Sequence, residues 1–279
     1  MSTPADAQLD RWNRFRNSRN AALATEHGWL TLTSFQWLES QPAAVELAPG
    51  LWSTDGTTAT LTAVGQDGLT LVETGEAVEG TITATLADEE SLMWVQYGGA
   101  DGKQVVVELA MRADKYAVRT RDAKSPVLTG FDGVPTFGYR PDLVIEARYE
   151  AYPEPVAVPI GTANPLVDGM HESVGEVVFR IPGTDHEYRL QAEDEKLGAL
   201  TVTFHDGTNA GPDGDGETAE WRKVATARPR PDSTVILDFN RAINYPSAFT
   251  PYGTCPMPVK NNSLDAKIEA GEKQPSSGD

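Results

Sequence analysis

The stretch Leu143–Tyr149, LVIEARY, places Leu143, Ile145, Ala147 and Tyr149 on one parity and Val144, Glu146 and Arg148 on the other. Successive side chains of an extended chain point to opposite faces, so a period of two predicts a half-buried antiparallel strand. The alternation recurs at Tyr188, Leu190 and Ala192, at Leu200, Val202 and Phe204, and at Ile82, Ala84 and Leu86 set between threonines. Runs rich in β-formers at Met93–Tyr97, Val105–Leu109 and Val235–Phe239 extend the series. Between them stand the turn signals Asp55-Gly56, Asp67-Gly68, Gly98-Gly99, Asp101-Gly102 and Pro182-Gly183. Strands at short spacing, without interleaved helical patterns, predict a mainly β fold: an antiparallel β-sandwich or barrel. No internal repeat interrupts this reading.

The two ends read differently. Leu9, Trp12, Phe15, Ala22 and Leu23 recur at spacings of three and four opposite Arg11 and Asn17, which predicts an amphipathic helix ending near Gly28. Residues 1–40 are therefore expected to be an N-terminal helical segment packed on a β-rich domain of residues 41–273. The proline-bearing stretch 151–166 is expected to be a long connection or a hinge between subdomains. Ser263, Leu264, Ile268 and Gly271 predict a short C-terminal helix, with residues 274–279 a disordered tail.

The chain is acidic, with a net charge of −18, which argues against nucleic acid or an anionic membrane surface as partners. Fifteen of its 23 basic residues are arginine, the side chain suited to forked hydrogen bonds with carboxylates and phosphates. A single cysteine, Cys255, excludes an intrachain disulfide and a multi-cysteine metal site. The first thirty residues lack the apolar run of a signal peptide, and no stretch approaches the roughly 20 apolar residues of a membrane span. A cytoplasmic location is expected.

Motifs with a fixed chemistry are missing: there is no G-x-S-x-G elbow, H-E-x-x-H helix, Walker loop or G-x-G-x-x-G loop. No cofactor is indicated. His205 and Asp206 close a strand and could serve as a base at its end. Asp213, Asp215 and Glu217 alternate in a glycine-rich loop without the calcium-loop spacing of an EF-hand, so they read as an exposed acidic loop and no metal is expected.

The chemistry-bearing residues concentrate in residues 238–273, DFNRAINYPSAFTPYGTCPMPVKNNSLDAKIEAGEK. Asp238, Asn240, Arg241, Asn244, Tyr252 and Asn262 sit there on a path stiffened by Pro246, Pro251, Pro256 and Pro258. Two more arginine sets lie upstream. Arg119 and Arg121 share one face of a predicted strand, and Arg222 follows Trp221.

Taken together, Asp238–Ala242, Asn244, Ala248-Phe249, Tyr252, Thr254-Cys255-Pro256, Pro258, Asn262 and Ile268–Lys273 resemble the bacterial and archaeal family called domain of unknown function 1684. Gly28-Trp29-Leu30 with Trp37-Leu38, Val118–Asp122, and Phe204–Thr208 with Arg222 are similar to other motifs of that family. The chain departs from it at Ser247, where the family pattern N-P-x-C-A-F carries a cysteine. The resemblance implies no activity.

Three readings of function stay open. The first is a small-molecule enzyme, with hydrolase the suggested class, in which Asp238 or Asp206 acts as base. Arg119, Arg121, Arg222 and Arg241 would hold an anionic substrate, with Asn240, Asn244 and Tyr252 orienting it. The second is a noncatalytic module binding an anionic small molecule in the same arginine-lined pocket. The third is structural, with the 238–273 segment a polar clasp that satisfies backbone groups its prolines leave unpaired.

Overall fold

The structure, a computed structural model, describes residues 4–98, 104–211 and 214–275. It is mainly β with antiparallel sheets, and it divides into two compact units, Ala22–Phe131 and Met1–Ala21 with Asp132–Ser277. Residues 276–279 of the expected 274–279 tail, and Gly99, Asp101 and Gly102 of the turn signals, lie outside the described residues, while Gln274 donates its N–H to the Glu217 carbonyl at 2.9 Å.

In the unit Ala22–Phe131, β1 (Leu32–Trp37), β5 (Thr70–Leu71), β7 (Ser91–Gly98), β8 (Gln104–Arg112) and β9 (Lys115–Asp122) form a sheet ordered β1-β9-β8-β7-β5, while β2 (Ala43–Val45), β3 (Ala48–Thr54), β4 (Ala59–Ala63) and β6 (Gly80–Ala84) form a second, β2-β3-β4-β6. One apolar core contains Trp52 and Leu61 of the second sheet with Trp94, Leu109 and Tyr116 of the first. The Trp52 and Trp94 rings meet edge to face with centroids 5.7 Å apart. β9 is buried on both faces, with Tyr116 and Val118 in this core and Arg119 and Arg121 on the opposite face.

In the other unit, β10 (Val144–Ile160), β11 (Gly169–Arg180), β12 (Glu187–Asp194), β13 (Leu200–Phe204), β14 (Arg222–Ala225), β15 (Thr234–Asp238) and β16 (Ile243–Asn244) form one sheet ordered β15-β10-β11-β12-β13-β14-β16. Leu143, Ile145 and Ala147 do face the core, with Phe204, Leu237, Phe239 and Ile268. Residues 151–160, within the stretch expected as a connection or hinge, continue β10 and pair with β11 from Val156↔Ser173 to Ile160↔Gly169.

The helix α1 spans Pro4–Leu23. Its average hydrophobicity is low, so tertiary contacts must hold it. Trp12 is buried and donates its indole N–H to the Asn240 carbonyl at 3.0 Å, and Arg19 reaches the Asn244 carbonyl at 2.9 Å and Glu272 at 3.0 Å. Phe15 is half-buried, whereas Leu9 and Ala22 of the expected stripe are exposed.

Of the two expected architectures the barrel falls: among the described residues no sheet closes, and each ends in open edge strands. The C-terminal helix does not form; residues 263–271 run as irregular chain, with a single bridge from Ser263 to His205. Its backbone is taken by other partners, since Leu264 N–H donates to the His205 carbonyl at 2.9 Å and Ile268 N–H to Asp206 at 3.3 Å. The Ile268 and Ala270 carbonyls accept from Arg222. With donors and acceptors engaged across the fold, the i→i−4 ladder has nothing to build on.

Candidate functional site

Arg222 opens β14 and is completely buried. Its Nη2 lies 2.6 Å from Asp206 Oδ2 and 3.0 Å from the Ile268 carbonyl, and its Nη1 donates to the Ala270 and Glu272 carbonyls at 2.5 and 3.2 Å. Asp206 Oδ1 meanwhile accepts from the Thr208 amide at 2.8 Å and the Thr208 hydroxyl at 2.6 Å. Neither group is open to a ligand. The pair ties the chain end to β13 and β14, as a clasp does.

Three asparagines work the same way. Asn240 accepts from the Arg140 amide at 2.7 Å and donates to the Arg140 carbonyl at 2.8 Å. Asn244 donates to the Lys273 carbonyl at 2.8 Å, while its own amide meets Glu272 Oε2 at 2.6 Å. Asn262 accepts from the Gln191 amide at 2.8 Å and donates to the Gln191 and Thr203 carbonyls, each at 2.9 Å. An amide side chain carries both donor and acceptor, so it can stand in for a backbone strand where prolines cannot. Tyr252 sits half-buried on a turn, its amide 3.3 Å from Thr250 Oγ1.

Arg119 and Arg121 belong to the other unit and converge on Glu108, which sequence reading missed because one glutamate within a buried strand carries no local pattern. Glu108 and Arg119 are direct cross-strand partners on β8 and β9. Arg119 Nη1 lies 3.2 Å from Oε1, and Arg121 Nη2 lies 2.6 Å from Oε2. Arg121 Nη1 also donates to the Gly28 carbonyl at 2.8 Å, with the Trp29 ring against its guanidinium. Burial alone would raise the Glu108 carboxyl; Arg121 and Arg119, with hydrogen bonds from Ser91 and Arg121, outweigh it and hold the group below the usual glutamate range. These arginines, too, are engaged.

Asp238 and Arg241 are placed differently. Asp238 ends β15 and caps a single turn, accepting the Asn240 amide at 3.1 Å, and Arg241 stands exposed on that turn. Both line a groove of about 650 Å³ with Gln8, Arg11, Trp12, Arg14, Phe15 and Tyr139. Gln8, Arg11, Trp12 and Phe15 share one face of α1 through their spacings of three and four. The Arg241 guanidinium lies 4.5 Å from the Phe15 ring centre, and the Trp12 and Tyr139 rings are 5.6 Å apart. Burial, then Asp238, pushes the Tyr139 hydroxyl above the usual tyrosine range against the opposing pull of Arg11, so it stays a phenol donor at neutral pH. Arg11 and Arg14 have no carboxylate partner among the described residues, and neither has Arg241. The helix motif around Trp12 was legible in the sequence, but only as a packing stripe.

The acidic loop is an exposed surface: Asp215 pairs with Lys267 at 2.8 Å and Glu217 with Lys273 at 2.7 Å, while Asp213 lies outside the described residues. No helix of the described residues is long and apolar enough to cross a membrane.

The model of the family described as protein of unknown function DUF1684 matches residues 129–273, just over half of the chain. No curated protein matches it. Among solved structures, the solution NMR structure of an uncharacterized protein of Haloarcula marismortui is 26% identical, with 52% of this chain and 78% of that one covered and a TM-score of 0.40.

Proposed function

The chain belongs to the DUF1684 family of proteins of unknown function, and on that premise we propose that it binds an anionic small molecule with a planar part in the groove beside α1. The observation that carries this reading is the contrast among its arginines. Even on the surface, Arg140, Arg148 and Arg189 find a carboxylate within 2.7 Å. Arg11, Arg14 and Arg241, in a chain of net charge −18, line one groove without such a partner among the described residues. Like charges three apart on a helix are mildly destabilising, by about 0.2–0.5 kcal/mol, and a bound anion relieves that repulsion. Trp12, Phe15 and Tyr139 supply apolar faces for a flat substituent, and the Tyr139 hydroxyl supplies a donor.

The proposal moves the expected pocket away from Arg119, Arg121 and Arg222, whose guanidiniums are held by Glu108, Asp206 and backbone carbonyls. It also leaves Asp238, rather than Asp206, as the carboxylate beside the ligand. Calorimetric titration with phenyl phosphate and inorganic phosphate tests it. Phenyl phosphate should bind at least tenfold more tightly, and Arg241→Ala or Arg11→Ala should weaken it at least tenfold with little change in melting temperature. Release of phenol from the bound ester is the readout for the hydrolytic reading. Absence of binding by both anions, or binding indifferent to both substitutions, overturns the proposal.

A further inference from the structure

Asp238 caps the turn Phe239–Arg241 with one oxygen only: Oδ1 accepts the Asn240 amide at 3.1 Å and Asn240 Nδ2 at 2.9 Å. Among the described residues Oδ2 has no hydrogen bond and the carboxylate no ion pair. A neutral asparagine or serine caps a turn as well as an aspartate, so the negative charge exceeds what the turn requires. Asp238 pairs with Val144 in the sheet, and both line the groove with Arg11, Arg14 and Arg241. Opposite charges thus stand on the walls of one groove without pairing with each other.

Their positions are held. Arg241 ends the turn that Asp238 caps, and its guanidinium rests 4.5 Å from the Phe15 ring centre. The turn is fixed in its middle by Trp12, whose indole N–H donates to the Asn240 carbonyl at 3.0 Å. Asp238 and Arg11 act in opposite senses on the Tyr139 hydroxyl, so both charges lie within electrostatic reach of it. A simple anion answers the arginines but is repelled by Asp238. A ligand that also carries a cation answers both, and a charge-assisted hydrogen bond at each end fixes its orientation. An α-amino acid carries its ammonium and carboxylate on one carbon, a spacing suited to two side chains of a single three-residue turn. The groove, at about 650 Å³, has room beyond them for a side chain.

On the reading of the groove as an anion site, we propose that its ligand is an aromatic α-amino acid, with its carboxylate on the Arg241 guanidinium, its ammonium on Asp238 Oδ2 and its ring against Val144, Phe15 and Tyr139. The test is calorimetric titration of the full chain with phenylalanine, with 3-phenylpropionate, which lacks the ammonium, and with phenethylamine, which lacks the carboxylate. Phenylalanine should bind at least tenfold more tightly than either. Asp238→Asn, which keeps a capping oxygen, should weaken phenylalanine at least tenfold and leave 3-phenylpropionate no weaker. Should that variant not fold, the three ligands on the unsubstituted protein decide alone. 3-Phenylpropionate binding as tightly as phenylalanine overturns the proposal and leaves the anion site standing. Binding of phenyl phosphate without binding of phenylalanine does the same, whereas failure of both removes the anion site as well. Unchanged phenylalanine affinity in Asp238→Asn also overturns the proposal.

Discussion

Arg222 and Asp206 face each other with both side chains wholly out of solvent and Nη2 2.6 Å from Oδ2. The same guanidinium gathers the carbonyls of Ile268, Ala270 and Glu272, so one side chain fastens residues 268–272 to β14. Taking one partner from such a pair strands a buried charge. Arg222→Ala and Asp206→Asn should therefore each destabilise the protein by about 3–5 kcal/mol in urea denaturation. Arg222→Lys should not restore the loss, because an ammonium cannot fork to a carboxylate and three carbonyls together. Arg241→Ala, on the exposed turn, should stay within about 0.5 kcal/mol of the unsubstituted protein. Equal effects at Arg222 and Arg241 would contradict the separation of clasp from groove.

Glu108 makes the other unit sensitive to acid. Its carboxyl titrates below the usual range in the fold, so the stability it contributes is fully present above the unfolded-state value near 4.3. That contribution is lost as pH falls through the lower folded-state value. Glu108→Gln should cost about 3–5 kcal/mol at neutral pH, with the gap to the unsubstituted protein narrowing below pH ~4. Denaturation midpoints taken from pH 7 to pH 3 check this; parallel curves across that range would show that the carboxylate is not the origin.

Asn262 offers an isosteric test of the backbone-mimic role. Its Nδ2 faces two carbonyls, so Asn262→Asp sets a carboxylate oxygen against them with almost no change of shape. At pH 7 the substitution should cost at least as much as Asn262→Ala, roughly 3 kcal/mol, by unpairing buried groups and adding repulsion. A neutral effect of Asn262→Asp would mean that shape alone matters at this position.

Gly271 was expected to stop a helix, and it has a different task. It sits at φ +78°, where a Cβ would lie 2.5 Å from the Ala242 carbonyl oxygen and 2.9 Å from that of Phe239. Gly271→Ala should lower stability by about 2–4 kcal/mol through strain and overpacking together. A melting temperature within a degree of the unsubstituted protein would rule that close approach out.

Much of the fold was legible because the relevant signals are local. Period-two alternation located β10, β12 and β13, and the stripe through Trp12 located α1. The motif around Asp238–Lys273 marked the family for the same reason, a linear string of residues. The C-terminal helix misled because its cap, stop and spacing were all present locally, while the hydrogen bonds that prevent it come from Asp206, His205 and Arg222, more than 40 positions away in the chain. Glu108 was invisible because its meaning lies in two arginines on the neighbouring strand.

By itself, the sequence determined the alternating strands β10, β12 and β13, the place of the first helix and which residues carry charge, since these follow from side-chain period and composition. The tertiary structure alone decided which arginines are engaged and which are open. That choice depends on whether a carboxylate and a few carbonyls converge on a guanidinium as the chain folds. For Arg119, Arg121 and Arg222 they do, and the groups became structure. For Arg11, Arg14 and Arg241, along the groove beside α1, they do not, and the charge is left facing a cavity.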